Sequence, residues 1–135
     1  MQYDVVALLT EILAKVGMSD VFDKDLNNHS TISLHMKDDI PTIHIKNNDE
    51  EIWVWVQLGE VNLSTLSYCS ANLFPLLLAH NEDIFHAGHP CLYQVDNALD
   101  LRAQVKEKHF ESASAFMEML DSFLTVLQQY RTALN

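Results

Sequence analysis

The stretch EEIWVWVQLGE, residues 50–60, decides the fold. Ile, Trp and Val suit a pleated ribbon, so it reads as a strand. Side chains alternate along a strand, which sets Ile52, Val54 and Val56 on one face and Trp53 and Trp55 on the other. Both faces are apolar. One packs on the chain's own core and the other needs a cover. At least one tryptophan is expected in the core under the helices, with a docking surface as the alternative.

Working outward from this strand, two shorter ones precede it. STISLHM alternates Ile32, Leu34 and Met36 with Ser33 and His35, and IPTIHIKN places Ile43 and Ile45 on one face. The polar turns KDD and NNDE join the three into an antiparallel meander. Before them, residues 3–16 carry Val5, Leu8 or Leu9, Ile12 and Val16 at helical spacing, with Gly17 as a stop. After them, residues 64–79 read as a second helix with Ser64 as its N-cap and Pro75 as a kink or break. CLYQV and LDLRAQV read as two further strands. Residues 112–133 form the clearest helix, with Ser112 as cap and Ala113, Phe116, Leu120, Phe123, Leu127, Tyr130 and Leu134 three and four apart. The order is α-β-β-β-α-β-β-α. It predicts an α+β fold in which a twisted antiparallel sheet packs with helices.

At 135 residues the chain fits one domain, 1–135, without internal repeat or linker, and is long enough to bury a core. Its net charge of −11, from 8 Lys and Arg against 19 Asp and Glu, argues against nucleic-acid partners and against docking on anionic membranes. Cys69 and Cys91 form no CxxC pair, which fits a reduced, intracellular protein. The start MQYDVVALLTEILAK lacks the basic region and cleavage site of a secretory signal, and no apolar run approaches the ~20 residues of a membrane span. A cytosolic location is expected.

Signs of chemistry are few. His80, His86, His89 and Cys91 are zinc-binding residue types, but their spacing matches no known finger, and solvated loop histidines explain them more simply. His35 and His44 fall on neighbouring strands, where polar faces of a meander account for them. Cys69, mid-helix beside Tyr68, reads as a small apolar filler rather than a nucleophile. With three glycines and no GxSxG, GxxxxGK[ST] or GxGxxG, the chain has little material for a phosphate-cradling loop. The acidic clusters at 23–25, 38–39 and 48–51 read as solvated turns. No catalytic residue, metal or cofactor is expected.

The remaining signal is apolar excess. The first helix carries more than one apolar stripe, the second is short and apolar, and the third strand is apolar on both faces. Each large side chain left exposed forgoes about 1.5–3 kcal/mol of burial, so a dimer partner, a client segment or both should cover the surplus. A generic dimeric interaction domain with some other client shares every one of these features.

The segment DLNNHSTISLHMKDDIPTIHIKNNDEEIWVWVQLGE resembles the strand region of the type III secretion chaperones, in particular the class IB, multi-effector subfamily of invasion systems. The likeness lies in HST before the first strand, IP and I-x-I in the second, and W-x-W-x-Q-L-G ending the third. It extends to size, acidity, element order and the long C-terminal helix, but not to Pro75 or the histidine-bearing turn at 85–90. The resemblance implies a non-enzymatic homodimer of the bacterial cytoplasm. Such a protein binds N-terminal segments of effectors and delivers them to the secretion ATPase and sorting components. It implies a dimer interface at the positions of Leu66, Leu73, Leu76, Leu77, Leu92 and Tyr93. It implies partner-binding grooves at those of Val5, Leu9, Ile12, Ile32, Leu34 and Ile43.

Overall fold

The structure, a computed structural model, describes residues 7–8, 10–11, 31–36, 39–48, 51–79 and 81–135. Its elements are β1 (Ile32–Leu34), β2 (Ile43–Asn48), β3 (Glu51–Glu60), α1 (Leu63–Leu78), β4 (Cys91–Val95), β5 (Ala98–Val105) and α2 (Ala113–Ala133). A short 3-10 turn, Glu107–Phe110, leads into α2. Ala7, Leu8, Thr10 and Glu11 are helical, as the first helix predicts, and Leu8 packs against the core. The fold is α+β, and from β1 onward the element order is the expected one.

The strands form one antiparallel sheet in the order β1-β2-β3-β5-β4. β3 is its centre, because it is the longest strand and apolar on both sides. Ile52, Val54 and Val56 bury with Ile32, Leu34, Ile43, Ile45, Leu101, Ala103 and Val105 on one face. α2 covers that face with Phe116, Met119, Phe123, Leu127 and Tyr130, all at most 1% exposed. The i, i+3, i+4 spacing of these residues puts them on one stripe of the helix. Ser112 caps α2 by accepting the Ala115 N–H at 3.1 Å.

The G of W-x-W-x-Q-L-G has a structural task. The β3–β5 register shifts between Gln57 and Gly59, and Gly59 adopts φ 121, a conformation side-chain-bearing residues rarely take. At the same end of β5, Asp96 at φ 56 lets the β4–β5 hairpin close in two residues.

Three local expectations change. Asn62, not Ser64, caps α1: its side chain accepts the Thr65 N–H at 2.9 Å, so the helix begins earlier. Pro75 neither splits nor ends α1, which continues to Leu78. Pro75 lies in the last turn, where a missing N–H removes one helical bond and the Ala79 N–H still closes on the Leu76 carbonyl at 3.2 Å. Both tryptophans are half-buried on the face of the sheet away from the helices, so neither joins the core.

Candidate functional site: the outward apolar surface and the outer sheet face

α1 sits on the core through Cys69 and Leu73, with Leu66 and Leu76 partly buried beside them. Its other side is apolar as well. Leu63 is 80% exposed, Tyr68 87% and Phe74 62%, and Leu77 and Leu78 are exposed too. The edge strand β4 adds exposed Tyr93 and Val95. The start of α1 is tied to the β4–β5 turn by the Val61 N–H, which donates to the Asn97 carbonyl at 2.9 Å. An open groove between α1 and α2, floored by Leu76, Leu124 and Ala133, borders the same helix.

The residues expected in contact with partners divide accordingly. Leu77 and Tyr93 face solvent, and Leu66, Leu76 and Leu92 are half-buried. Leu73, at 6% exposed, belongs to the chain's own core. So do Ile32, Leu34 and Ile43, whose side chains turn inward and are not available to a client on this surface. What β1 does offer is its edge: it stands last in the sheet, with β2 on one side only among the described residues. Val5, Leu9 and Ile12 lie outside the described residues.

The outer sheet face carries polar and aromatic side chains in rows fixed by strand register: Lys46–Trp53–Gln104, His44–Trp55–Arg102–Cys91 and Gln57–Asp100–Tyr93. His44 stacks on Trp55 with ring centres 5.4 Å apart. Its Nδ1 is 2.9 Å from the Ser33 hydroxyl. His89 lies 5.3 Å from the Trp53 ring and accepts the Gln104 N–H at 2.7 Å. Arg102 pairs with Asp100 at 2.8 Å and sits over the Tyr93 ring at 5.0 Å. These cross-strand contacts are a partial answer to what covers the second face of β3.

Of the metal-binding residue types, His86 is exposed and Cys91 has its thiol 3.7 Å from the Arg102 carbonyl, where burial pushes its pKa up; His80 lies outside the described residues. Among the described residues no cluster of three or more His, Cys, Asp or Glu stands ready to hold a metal ion, and no helix is long and apolar enough to cross a membrane. His109 was not anticipated: it is buried, with its ring nitrogens 3.1 Å and 3.3 Å from the Ala115 and Asp83 carbonyls, and so ties the segment before β4 to the start of α2.

Burial beside Trp55 holds His44 below its ordinary pKa of 6.5, and His35 pushes the same way, against the pull of Asp100. The unfolded chain therefore takes up this proton more readily than the folded one. Stability is full above pH 6.5 and falls as pH drops through that value toward the lower folded pKa. We expect His44→Gln to lose less unfolding free energy than the unaltered chain between about pH 7 and about pH 5. Urea denaturation at both pH values checks this, and equal losses would contradict it.

A small α+β domain, one sheet face closed by helices and an apolar surface turned outward, is the class that fold and site define. The chain belongs to the invasion protein B family, whose family model matches residues 17–96. It is 25% identical over 133 residues to the surface presentation of antigens protein SpaK of Salmonella typhimurium (strain LT2), covering 97% of this chain and 96% of that protein. The SpaK protein of Salmonella typhi matches to the same extent. The resemblance to invasion-system type III secretion chaperones is thereby borne out, and links the chain to type III secretion and invasion.

Proposed function

We propose that the protein is a homodimeric chaperone of the bacterial cytoplasm that binds N-terminal segments of type III secretion effectors. It keeps them soluble and secretion-competent and hands them to the secretion ATPase and sorting components. The observation that carries this reading is the set of exposed apolar side chains on α1 and β4, from Leu63 to Val95. A surface of that kind costs free energy unless something covers it. The second copy covers α1 and the β4 edge, with Leu77 and Tyr93 exposed to it and Leu66, Leu76 and Leu92 half-buried.

The client is held in an extended form. A strand added at the β1 edge gains backbone hydrogen bonds regardless of sequence, which suits several clients. Val5, Leu9 and Ile12 of the first helix supply the apolar groove, while Ile32, Leu34 and Ile43, buried in the core, hold β1 and β2 in place behind it. Ordering the client costs about 2–5 kcal/mol or more, which a contact spread over two subunits offsets. The client is held rather than altered, so the role requires no catalytic residue, nucleotide or cofactor.

Co-expression with N-terminal fragments of effectors from the same secretion system tests this. The expected result is a stable complex purified through the fragment; failure of every fragment to bind would defeat the proposal. Leu9→Asp is expected to weaken fragment binding while leaving the dimer intact, because it sets an unpaired charge in an apolar groove. Pull-down and size measurement on the same variant check both halves.

A further inference from the structure

The outer sheet face holds a pocket that shares Tyr93 with the proposed dimer surface and lies apart from the proposed client groove. Lys46, Asn48, Trp53, Trp55, Tyr93 and Arg102 line it. Four strands supply these residues, so the paired register of the sheet fixes their spacing. The rings are braced from outside: His44 stacks on Trp55, and His89 lies tilted against Trp53. Walls held in place in this way need little ordering when a ligand enters.

The charge of the lining runs against that of the chain. Of 135 residues 19 are acidic and only 8 are Lys or Arg, yet the lining holds two cations and no carboxylate. Arg102 donates from Nε and Nη2 to Asp100, which fixes the guanidinium plane and leaves Nη1 outside that pair. Trp53 gives its indole N–H to Glu51. Lys46 lies directly across from Trp53 and brings a full charge to the rim. Asp100 and Glu51 stand at the edge, held by Arg102 and Trp53, and Lys46 beside the aromatic faces suits an anion carried on a short apolar stem.

We propose that this pocket binds the carboxylate side chain of an acidic segment of a partner protein. Lys46 and Nη1 of Arg102 pair with the carboxylate, and the rings of Trp53, Trp55 and Tyr93 hold its methylene stem and the peptide planes beside it. The inference stands whether or not that partner is a secretion effector. A nucleic acid is the poorer occupant, because two cations face a chain of net charge −11.

The chain's two tryptophans are both in the lining, so intrinsic tryptophan fluorescence reports on this site alone. A short peptide alternating Glu with Thr, its counterpart with Gln at every Glu, and a single-stranded oligothymidylate are each titrated into the purified protein. The Glu peptide should shift the emission, bind about tenfold or more tightly than the Gln peptide, and weaken as salt rises. Lys46→Gln should reduce Glu-peptide binding by about tenfold while the melting curve stays unchanged. Equal binding of the two peptides to the unaltered protein would overturn the proposal, as would tighter binding of the oligonucleotide or an emission spectrum indifferent to all three. A folded Lys46→Gln variant with undiminished binding would overturn it as well.

Discussion

Leu73→Asp is expected to leave a chain that does not fold. Leu73 is 6% exposed and packs in the same cluster as the strands and α2. Truncating a buried leucine costs about 2–5 kcal/mol, and the aspartate adds an unpaired charge in apolar surroundings. Domains of this size are stable by about 5–15 kcal/mol in total, so the sum consumes most or all of it. Circular dichroism of the variant should show no cooperative melt, or the protein should appear only in the insoluble fraction. A folded variant with an unchanged melt would mean that α1 does not seat on the core through this side.

The next residue gives the opposite result. Phe74 is 62% exposed, and one step along a helix turns the side chain by about 100° from its neighbour. Phe74→Asp combined with Leu77→Asp should therefore keep the melt of the unaltered chain and halve the molar mass in solution. The pair separates two roles of one helix: the Cys69 and Leu73 side packs in the core, and the Phe74 and Leu77 side is the one proposed to meet a second copy. A variant pair that stays dimeric would move the interface away from α1.

Much of this was legible in the sequence, for identifiable reasons. Period-two alternation located β1, β2 and the inward side of β3, since Ile52, Val54 and Val56 meet the core as a strand demands. The three- and four-residue spacing of Phe116, Phe123, Leu127 and Tyr130 located α2 and its buried stripe. Local rules failed where two signals compete. Asn62 and Ser64 are both good caps, and only the hydrogen bond to Thr65 distinguishes them. Pro75 reads as a break in any window, yet α1 continues through it to Leu78.

The candidate site was less legible. Alternation cannot say which of two apolar faces of β3 meets the helices, because both Trp53 and Trp55 are credible core residues. The answer lies in cross-strand partners: His44 and Arg102 flank Trp55, and these become neighbours only through register. Equally, Ile32, Leu34 and Ile43 read as groove residues although the core takes their side chains, since burial depends on α2, far along the chain. The segment at 84–86 is placed by another long-range effect: Phe85 bridges Val105 and is fully buried, while the Lys106 backbone N–H donates to the Ile84 carbonyl at 2.9 Å. Nothing in the local sequence announces that pairing.

The molar mass of the purified chain, measured by light scattering behind a sizing column, tests the central claim most directly. Twice the 15.4 kDa of one chain is the predicted value, because in the proposed dimer a second copy shields the exposed apolar side chains of α1 and β4. A soluble species of single-chain mass, stable without any partner, would contradict it.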